Sequence, residues 1–239
     1  VVTGASVTGI TSSTVADVTT LLVTNTATTV LTNPTVALSD TGSAAAVDAI
    51  VNKTTGIVTG AVTADTATAL AAALTHASAT DALTLTLTAA TQAADKITAL
   101  DALTSVAIVA SPATKITGTA DEVSSVLTAV GAGTVGALKA GVAIDVSAGT
   151  TTAAQLKAIE AATTGFVDAS AVTAISSSTI ADAKLVLVTK NGSSLDKISH
   201  KSDVTVALTD TTAVATDLSA IGNATTGTVT VSNAAAISG

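Results

Sequence analysis

The hydrophobic pattern of the chain alternates between two periods. Short stretches rich in Val, Ile, Leu and Thr alternate apolar and polar positions, as in residues 83–88 (LTLTLT), which predicts β-strands. Between them apolar residues recur at the helical spacing i, i+3, i+4 and i+7, as at Val123, Val126, Leu127 and Val130. The predicted strands cover residues 35–39, 57–62, 83–88, 106–110, 142–147, 166–172, 204–208 and 228–231.

The predicted helices lie between these strands and carry matching boundary residues. Asp40 and Asp210 are placed to satisfy the first N–H groups of the helices that follow them, and Gly56, Gly165 and Gly227 are placed to end helices in a left-handed conformation. Each period is therefore predicted to run strand, cap, short helix, glycine, strand. Further helical apolar sets are Val47, Ile50 and Val51; Ile97 and Leu100; Leu156 and Ile159; and Val214, Leu218 and Ile221.

The chain also repeats itself. Residues 6–17 lie over residues 171–182 at a constant offset of 165, and a Thr-Thr-Gly motif begins at Thr54, Thr163 and Thr225, with a degenerate copy at Thr104. Such self-similarity is typical of repeat architectures. We predict one continuous repeat array over residues 1–239, with units at about 1–56, 57–106, 107–165 and 166–227 and a partial fifth unit at 228–239.

Short strands that alternate with short helices favour parallel pairing with right-handed crossovers. The sequence therefore predicts an α/β fold, a repeat solenoid of short parallel strands and short helices. An all-β parallel solenoid is the alternative, because residues 18–24 (VTTLLVT) and 184–189 (KLVLVT) have strand-like composition. Val1 and Val2 align with Phe166 and Val167, and residues 228–239 align with 166–177, so the chain is expected to be an excerpt of a longer array or to stack head to tail.

Composition narrows the range of functions. Alanine and threonine each supply about a fifth of the residues, which suits thin, closely stacked coils. All nine basic residues are lysine and the net charge is −8, which argues against nucleic-acid binding. The absence of cysteine excludes disulfides and thiolate chemistry, and no apolar run approaches the length of a membrane span.

Few residues are candidates for chemistry. His76 and His200 are the two histidines, and their sequence context favours surface positions over metal ligation. Residues 131–136 (GAGTVG) match the dinucleotide-binding string, but a helical segment precedes them where that motif needs a strand, so a turn is expected. We therefore predict no catalytic, cofactor-binding or metal-binding residue and a protein that is not an enzyme.

Three further patterns have weaker functional meanings. Asp40, Asp145, Asp168 and Asp210 recur in or beside the strands and are candidate calcium ligands, although capping explains two of them. Threonine-rich strands suggest ice binding, but equivalent strands interrupt the Thr-x-Thr rank. The glycosylation sequons begin at Asn52, Asn191 and Asn223.

Residues 116–123 (ITGTADEV), 152–159 (TAAQLKAI) and 162–172 (ATTGFVDASAV) resemble the degenerate Ala/Thr/Val repeats of very large secreted and cell-surface bacterial proteins, notably those of marine cyanobacteria. The resemblance implies an extracellular or cell-surface, adhesin-like or fibre-forming role and supplies no catalytic residue. We expect a structural rod or filament that self-associates head to tail. The alternative is a solenoid binding module for polysaccharide, calcium or ice.

Overall fold

A computed structural model describes residues 7–25, 31, 33–188 and 198–239. Within them short helices alternate with parallel strands, which confirms the α/β class and shows that the all-β alternative is wrong. The chain divides into two compact units, Val1–Ala113 with Ala129–Leu138, and Thr114–Thr128 with Lys139–Gly239. No helix in the described ranges is long and apolar enough to cross a membrane.

The first unit contains a four-stranded parallel sheet in the order β1-β2-β3-β4. Parallel bridges from Thr86 to Val109 and from Ile108 to Val135 extend the same pairing, so residues 106–110 make bridges where a longer strand was predicted. The elements are β1 Gly9–Ser13, α1 Val15–Thr19, a π-helical turn Thr20–Thr24, β2 Thr35–Gly42, α2 Ala44–Val51, β3 Val58–Val62, α3 Ala67–Ala73, β4 Ala82–Thr84, β5 Thr91–Ala93 and α4 Ala94–Asp101.

The second unit contains two four-stranded parallel ladders, β6-β7-β9-β11 and β8-β10-β12-β14, and the pair β13-β15. Its elements are β6 Lys115–Gly118, the start of α5 Ala120–Ala132, β7 Ala143–Val146, β8 Gly149–Thr151, α6 Ala153–Ala161, β9 Val167–Ala169, β10 Val172–Ser178, α7 Ile180–Leu187, β11 Ile198–His200, β12 Thr205–Leu208, β13 Thr212–Val214, α8 Ala215–Ala224, β14 Val229–Val231 and β15 Ala236–Ser238.

We call the stretch of chain from one strand to its parallel neighbour a coil. Partners lie between 22 and 31 residues apart, from Val36 with Val58 to Ala174 with Thr205. The apolar faces behave as their periods predict: Leu83, Leu85 and Leu87 are fully buried between outward threonines, and Val123 and Val126 are buried on α5. Alternation of period two therefore sets which face of each strand packs inward.

Two predicted details are wrong. Residues 18–24, which have strand composition, lie in α1 and the π-helical turn, and residues 184–187 lie in α7; residue 189 falls outside the described residues. Val214 belongs to β13 and is 43% exposed, so it does not contribute to the apolar face of α8. In α1 and α7 a threonine N-cap and an aspartate from a neighbouring coil fix the first turn, and these contacts override composition.

Segments related by the offset of 165 residues have the same local structure. Ser12 and Ser177 both have positive φ, 49° and 47°, and the strand register shifts at both places. Thr14 and Thr179 cap the helices that follow in the same way. The sequence similarity therefore extends to an irregular backbone conformation that few side chains adopt.

Candidate functional site

The Thr-Thr-Gly motif forms a hydrogen-bonded connection between neighbouring coils, which we call the threonine latch. In each latch the first threonine hydroxyl accepts the N–H two residues further on and donates to a carbonyl of the preceding coil. Thr163 Oγ1 lies 2.8 Å from Gly165 N and 2.6 Å from Val142 O, and Thr225 Oγ1 lies 2.9 Å from Gly227 N and 2.6 Å from Val204 O. The hydroxyl thus satisfies two backbone groups at once.

The same latch occurs in the first unit. Thr54 Oγ1 donates to Pro34 O at 2.6 Å and accepts from Gly56 N at 2.9 Å. Thr104, the degenerate member, donates to Leu83 O at 2.7 Å and accepts from Val106 N at 3.1 Å. Conservation of the hydroxyl geometry without the glycine shows that the threonine is the working part of the motif.

The glycines of the latch have a different role from the predicted one. Gly56, Gly165 and Gly227 are absent from the residues with positive φ, so the expected left-handed helix ends are wrong at these positions. A Cβ on each would collide with carbonyl oxygens of the preceding coil, those of Pro34, Val142 and Val204 respectively. Close backbone approach therefore selects glycine here.

Asp40 and Asp210 cap helices, but not the helices that follow them in sequence. Asp40 Oδ1 accepts the N–H of Val15 at 2.7 Å, and Asp210 Oδ2 accepts the N–H of Ile180 at 2.7 Å, so each caps the helix of the preceding coil. Gln92 and Ser178 make the same kind of bond to the first residues of α3 and α6. A cap that comes from the next coil ties the helix layer to the strand layer.

Asp145 and Asp168 are neighbours in register on strands β7 and β9. Lys115 Nζ lies 2.7 Å from Asp145 Oδ2, and Ser199 Oγ donates to Asp168 Oδ1 at 2.6 Å. Hydrogen bonds from Ser170 and Ser199 lower the pKa of Asp168 below its usual value, and burial offsets part of this effect. The described part of the chain contains no group of three metal-ligating side chains, so the four aspartates proposed for calcium are not assembled into one site.

Elsewhere in the second unit, acidic residues pair with lysines across neighbouring helices. Lys157 on α6 binds Asp182 on α7, with 2.9 Å between Nζ and Oδ1, and Lys184 on α7 binds Asp217 on α8. These ion pairs lie on the helix layer and are partly exposed, so each contributes little alone. Their placement nevertheless repeats from helix to helix and adds to the connections between coils.

His76 forms a cluster that sequence reasoning missed. Asp48 on α2 accepts the His76 backbone N–H at 2.7 Å and contacts His76 Nδ1 at 2.8 Å, and Thr75 Oγ1 donates to it at 3.1 Å. The Asp48 side chain is 11% exposed, whereas that of His76 is 47% exposed. An aspartate inside the apolar helix sequence AAAVDAIV was the signal that could have revealed the cluster.

We expect the Asp48 cluster to make stability depend on pH in the acid range. Burial raises the pKa of Asp48, but hydrogen bonds from His76 and Thr75 lower it by more, so it lies below its usual 3.8. The stabilisation is therefore complete above pH 3.8 and is lost as the pH falls through the lower pKa of the folded state. In urea unfolding followed by circular dichroism, Asp48→Asn should cost about 2 kcal/mol at pH 6, and this difference should shrink at pH 2.

The control for this prediction is Asp95→Asn. Asp95 is 45% exposed and pairs with its neighbour Lys96, so the substitution should change the unfolding free energy by less than about 0.5 kcal/mol. A cost of Asp48→Asn that stays constant from pH 6 to pH 2 would contradict the role of the Asp48 carboxylate.

The remaining candidates occupy structural positions. The Nδ1 of His200 contacts Lys201 O at 3.1 Å on half-buried β11. In the 131–136 string, α5 ends at Ala132 and Gly133 adopts φ 80°, which confirms a turn there. Asn52 and Asn223 are exposed but stand two residues before the latch threonines Thr54 and Thr225, and Asn191 lies outside the described residues.

The threonine ranks proposed for ice binding are interrupted in the structure. Thr59 pairs with Ala82, and Thr84 pairs with Ala61, so alanine alternates with threonine across these strands. Phe166, the single phenylalanine, is 51% exposed next to β9. Neither feature provides a continuous flat array of hydroxyl groups.

Polar side chains singled out by the sequence thus mostly bind other parts of the same chain. No protein-family model, curated protein or solved structure matches this chain.

Proposed function

We propose that this chain is a non-enzymatic structural protein, a repeat solenoid that forms a rod or filament at the cell surface or in the extracellular matrix. The observation that carries the proposal is the set of threonine latches, in which buried hydroxyls join one coil to the next at four positions. Inter-coil caps and the lysine–aspartate pairs have the same direction of action. A chain that uses its polar side chains in this way is suited to carrying load along a stack of coils.

The proposed role includes adhesion, surface coating, matrix formation or support of motility. The resemblance of residues 116–123, 152–159 and 162–172 to repeats of large secreted bacterial proteins favours an extracellular location. A low content of reactive side chains, with no cysteine or methionine, suits a material that must resist oxidation outside the cell.

Head-to-tail self-association is part of the proposal. Ile237 on β15 is 63% exposed, and among described residues β15 has β13 as its strand partner. An apolar edge strand is a template for pairing with another chain. A second copy that adds a strand here would extend the stack in one direction.

Negative-stain electron microscopy and light scattering test the proposal. The protein is expected to form uniform fibres at high concentration, and Ile237→Lys should reduce fibre mass at least tenfold, because a charge on an edge strand opposes pairing. Thr230→Lys, an exposed site on β14, is the matched control for added charge. Discrete monomers of the unsubstituted protein at all concentrations would contradict self-association.

The second candidate function is a binding module for polysaccharide, calcium or ice. Polysaccharide is favoured over the other two ligands by a specific observation, a pair of polar clefts in the first unit.

A further inference from the structure

Two clefts lie on successive coils of the first unit. The first has a volume of about 250 Å³ and is lined by the latch residue Thr54 together with Thr55, His76, Thr80 and Asp81. The second has a volume of about 300 Å³ and is lined by the next latch residue, Thr104, and by other residues that include Ser105, Asp101 and Thr134. Because each cleft adjoins a latch, the two occupy corresponding positions one coil apart.

The lining of both clefts suits a polyol. Each contains a carboxylate and at least three hydroxyl groups. Asp101 Oδ2 accepts a hydrogen bond from Thr134 at 2.8 Å, which holds the carboxylate in place. The Nδ1 of His76 faces Asp48, so the opposite ring nitrogen, Nε2, is directed away from that contact. Carboxylate, imidazole and hydroxyl groups together supply both acceptors and donors for sugar hydroxyls.

The size and the charge of the clefts restrict the ligand. Volumes near 300 Å³ lie at the lower end of the range for small-molecule pockets and fit a single sugar ring. Ala79 and Gly133 leave the second cleft open to a bulky ring. Asp81 and Asp101, in a chain of net charge −8, disfavour sulfated or carboxylated sugars.

We propose that the two clefts are adjacent subsites for consecutive units of a neutral linear glycan. The latch that repeats from coil to coil also repeats the subsite, so a polymer with a regular period is a better match than an isolated monosaccharide. This inference goes beyond the structural role proposed above and does not depend on fibre formation.

Titration calorimetry with maltohexaose, cellohexaose, chitohexaose and a heparin hexasaccharide tests the inference. Sedimentable assemblies are removed first, so that a failure of glycan binding and a failure of fibre formation are scored separately. At least one neutral hexasaccharide is expected to bind, and its disaccharide is expected to bind at least tenfold more tightly than its monosaccharide, because linked units occupy both subsites. Absence of binding by all three neutral chains, or tightest binding of heparin, would overturn the proposal.

Ala79→Trp should fill the second cleft and weaken hexasaccharide binding at least tenfold. Ala161→Trp, at an exposed position of α6 in the second unit, makes the same substitution away from both clefts and should leave affinity unchanged. Asp101→Asn keeps an acceptor for Thr134 while removing the charge, and should weaken binding several-fold without loss of folded signal by circular dichroism. Equal affinities for the unsubstituted protein and both cleft variants would place the binding elsewhere and overturn the assignment.

Discussion

Replacing Gly165 with alanine is expected to lower the free energy of unfolding by about 3 kcal/mol or more. The new Cβ would lie 2.7 Å from Gly141 O and closer still to Val142 O. Neither carbonyl belongs to a flexible side chain. Val142 O also accepts the latch hydrogen bond from Thr163, so the backbone cannot withdraw without breaking the latch. Urea unfolding followed by circular dichroism measures the loss.

Gly222→Ala is the matched control in the same unit. Gly222 lies in α8, and a Cβ there would meet no atom within 4 Å. Alanine should stabilise the helix by about 0.5–1 kcal/mol, because glycine has the lower helix propensity. The two substitutions add the same methyl group, so a similar effect from both would show that close approach does not explain Gly165.

Strand and helix positions could largely be predicted from the sequence because they depend on local periodicity. The alternation Leu83, Leu85, Leu87 identifies one buried strand face, and Val123 with Val126 identifies one buried helix face. Both patterns are complete within a few residues of chain. The pairing direction also followed, since short connections through a helix require parallel strands.

Contacts between coils could not be predicted in the same way. Asp40 caps Val15 from 25 residues away, and Asp210 caps Ile180 from 30 residues away, whereas local reasoning assigned both aspartates to the helices after them. The choice depends on which N–H group the neighbouring coil brings into reach. Strand composition misled for residues 18–24 for the same reason, because a distant carboxylate helps to start α1.

The candidate site shows this limit most clearly. Composition predicted few reactive groups, yet it gave no indication that Asp48 on α2 would hold His76 from a later coil. The Thr-Thr-Gly motif was visible as a recurring sequence, and its three copies were first interpreted as helix ends. Its role became clear only from the carbonyl oxygens of the preceding coil, which lie 20 or 21 residues earlier.

Replacing Thr163 with valine is expected to cost about 2–3 kcal/mol. Valine has nearly the shape of threonine, so packing is preserved while the hydroxyl is lost. Thr163 is 6% exposed, and its removal leaves the Gly165 N–H and the Val142 carbonyl without this partner in a region that water does not reach. The cost of two unsatisfied backbone groups exceeds the small gain from burying an extra methyl group.

Thr163→Ser separates the hydroxyl from the methyl group, since serine keeps the donor and acceptor and should cost less than about 1 kcal/mol. The double variant Thr163→Val with Thr225→Val should lose the sum of the two single effects in urea unfolding, because the two latches share no hydrogen-bond partner. If Thr163→Ser cost as much as Thr163→Val, methyl packing would account for the motif. If the valine variant is the costly one, hydroxyl bonding between coils is what the recurring threonine supplies.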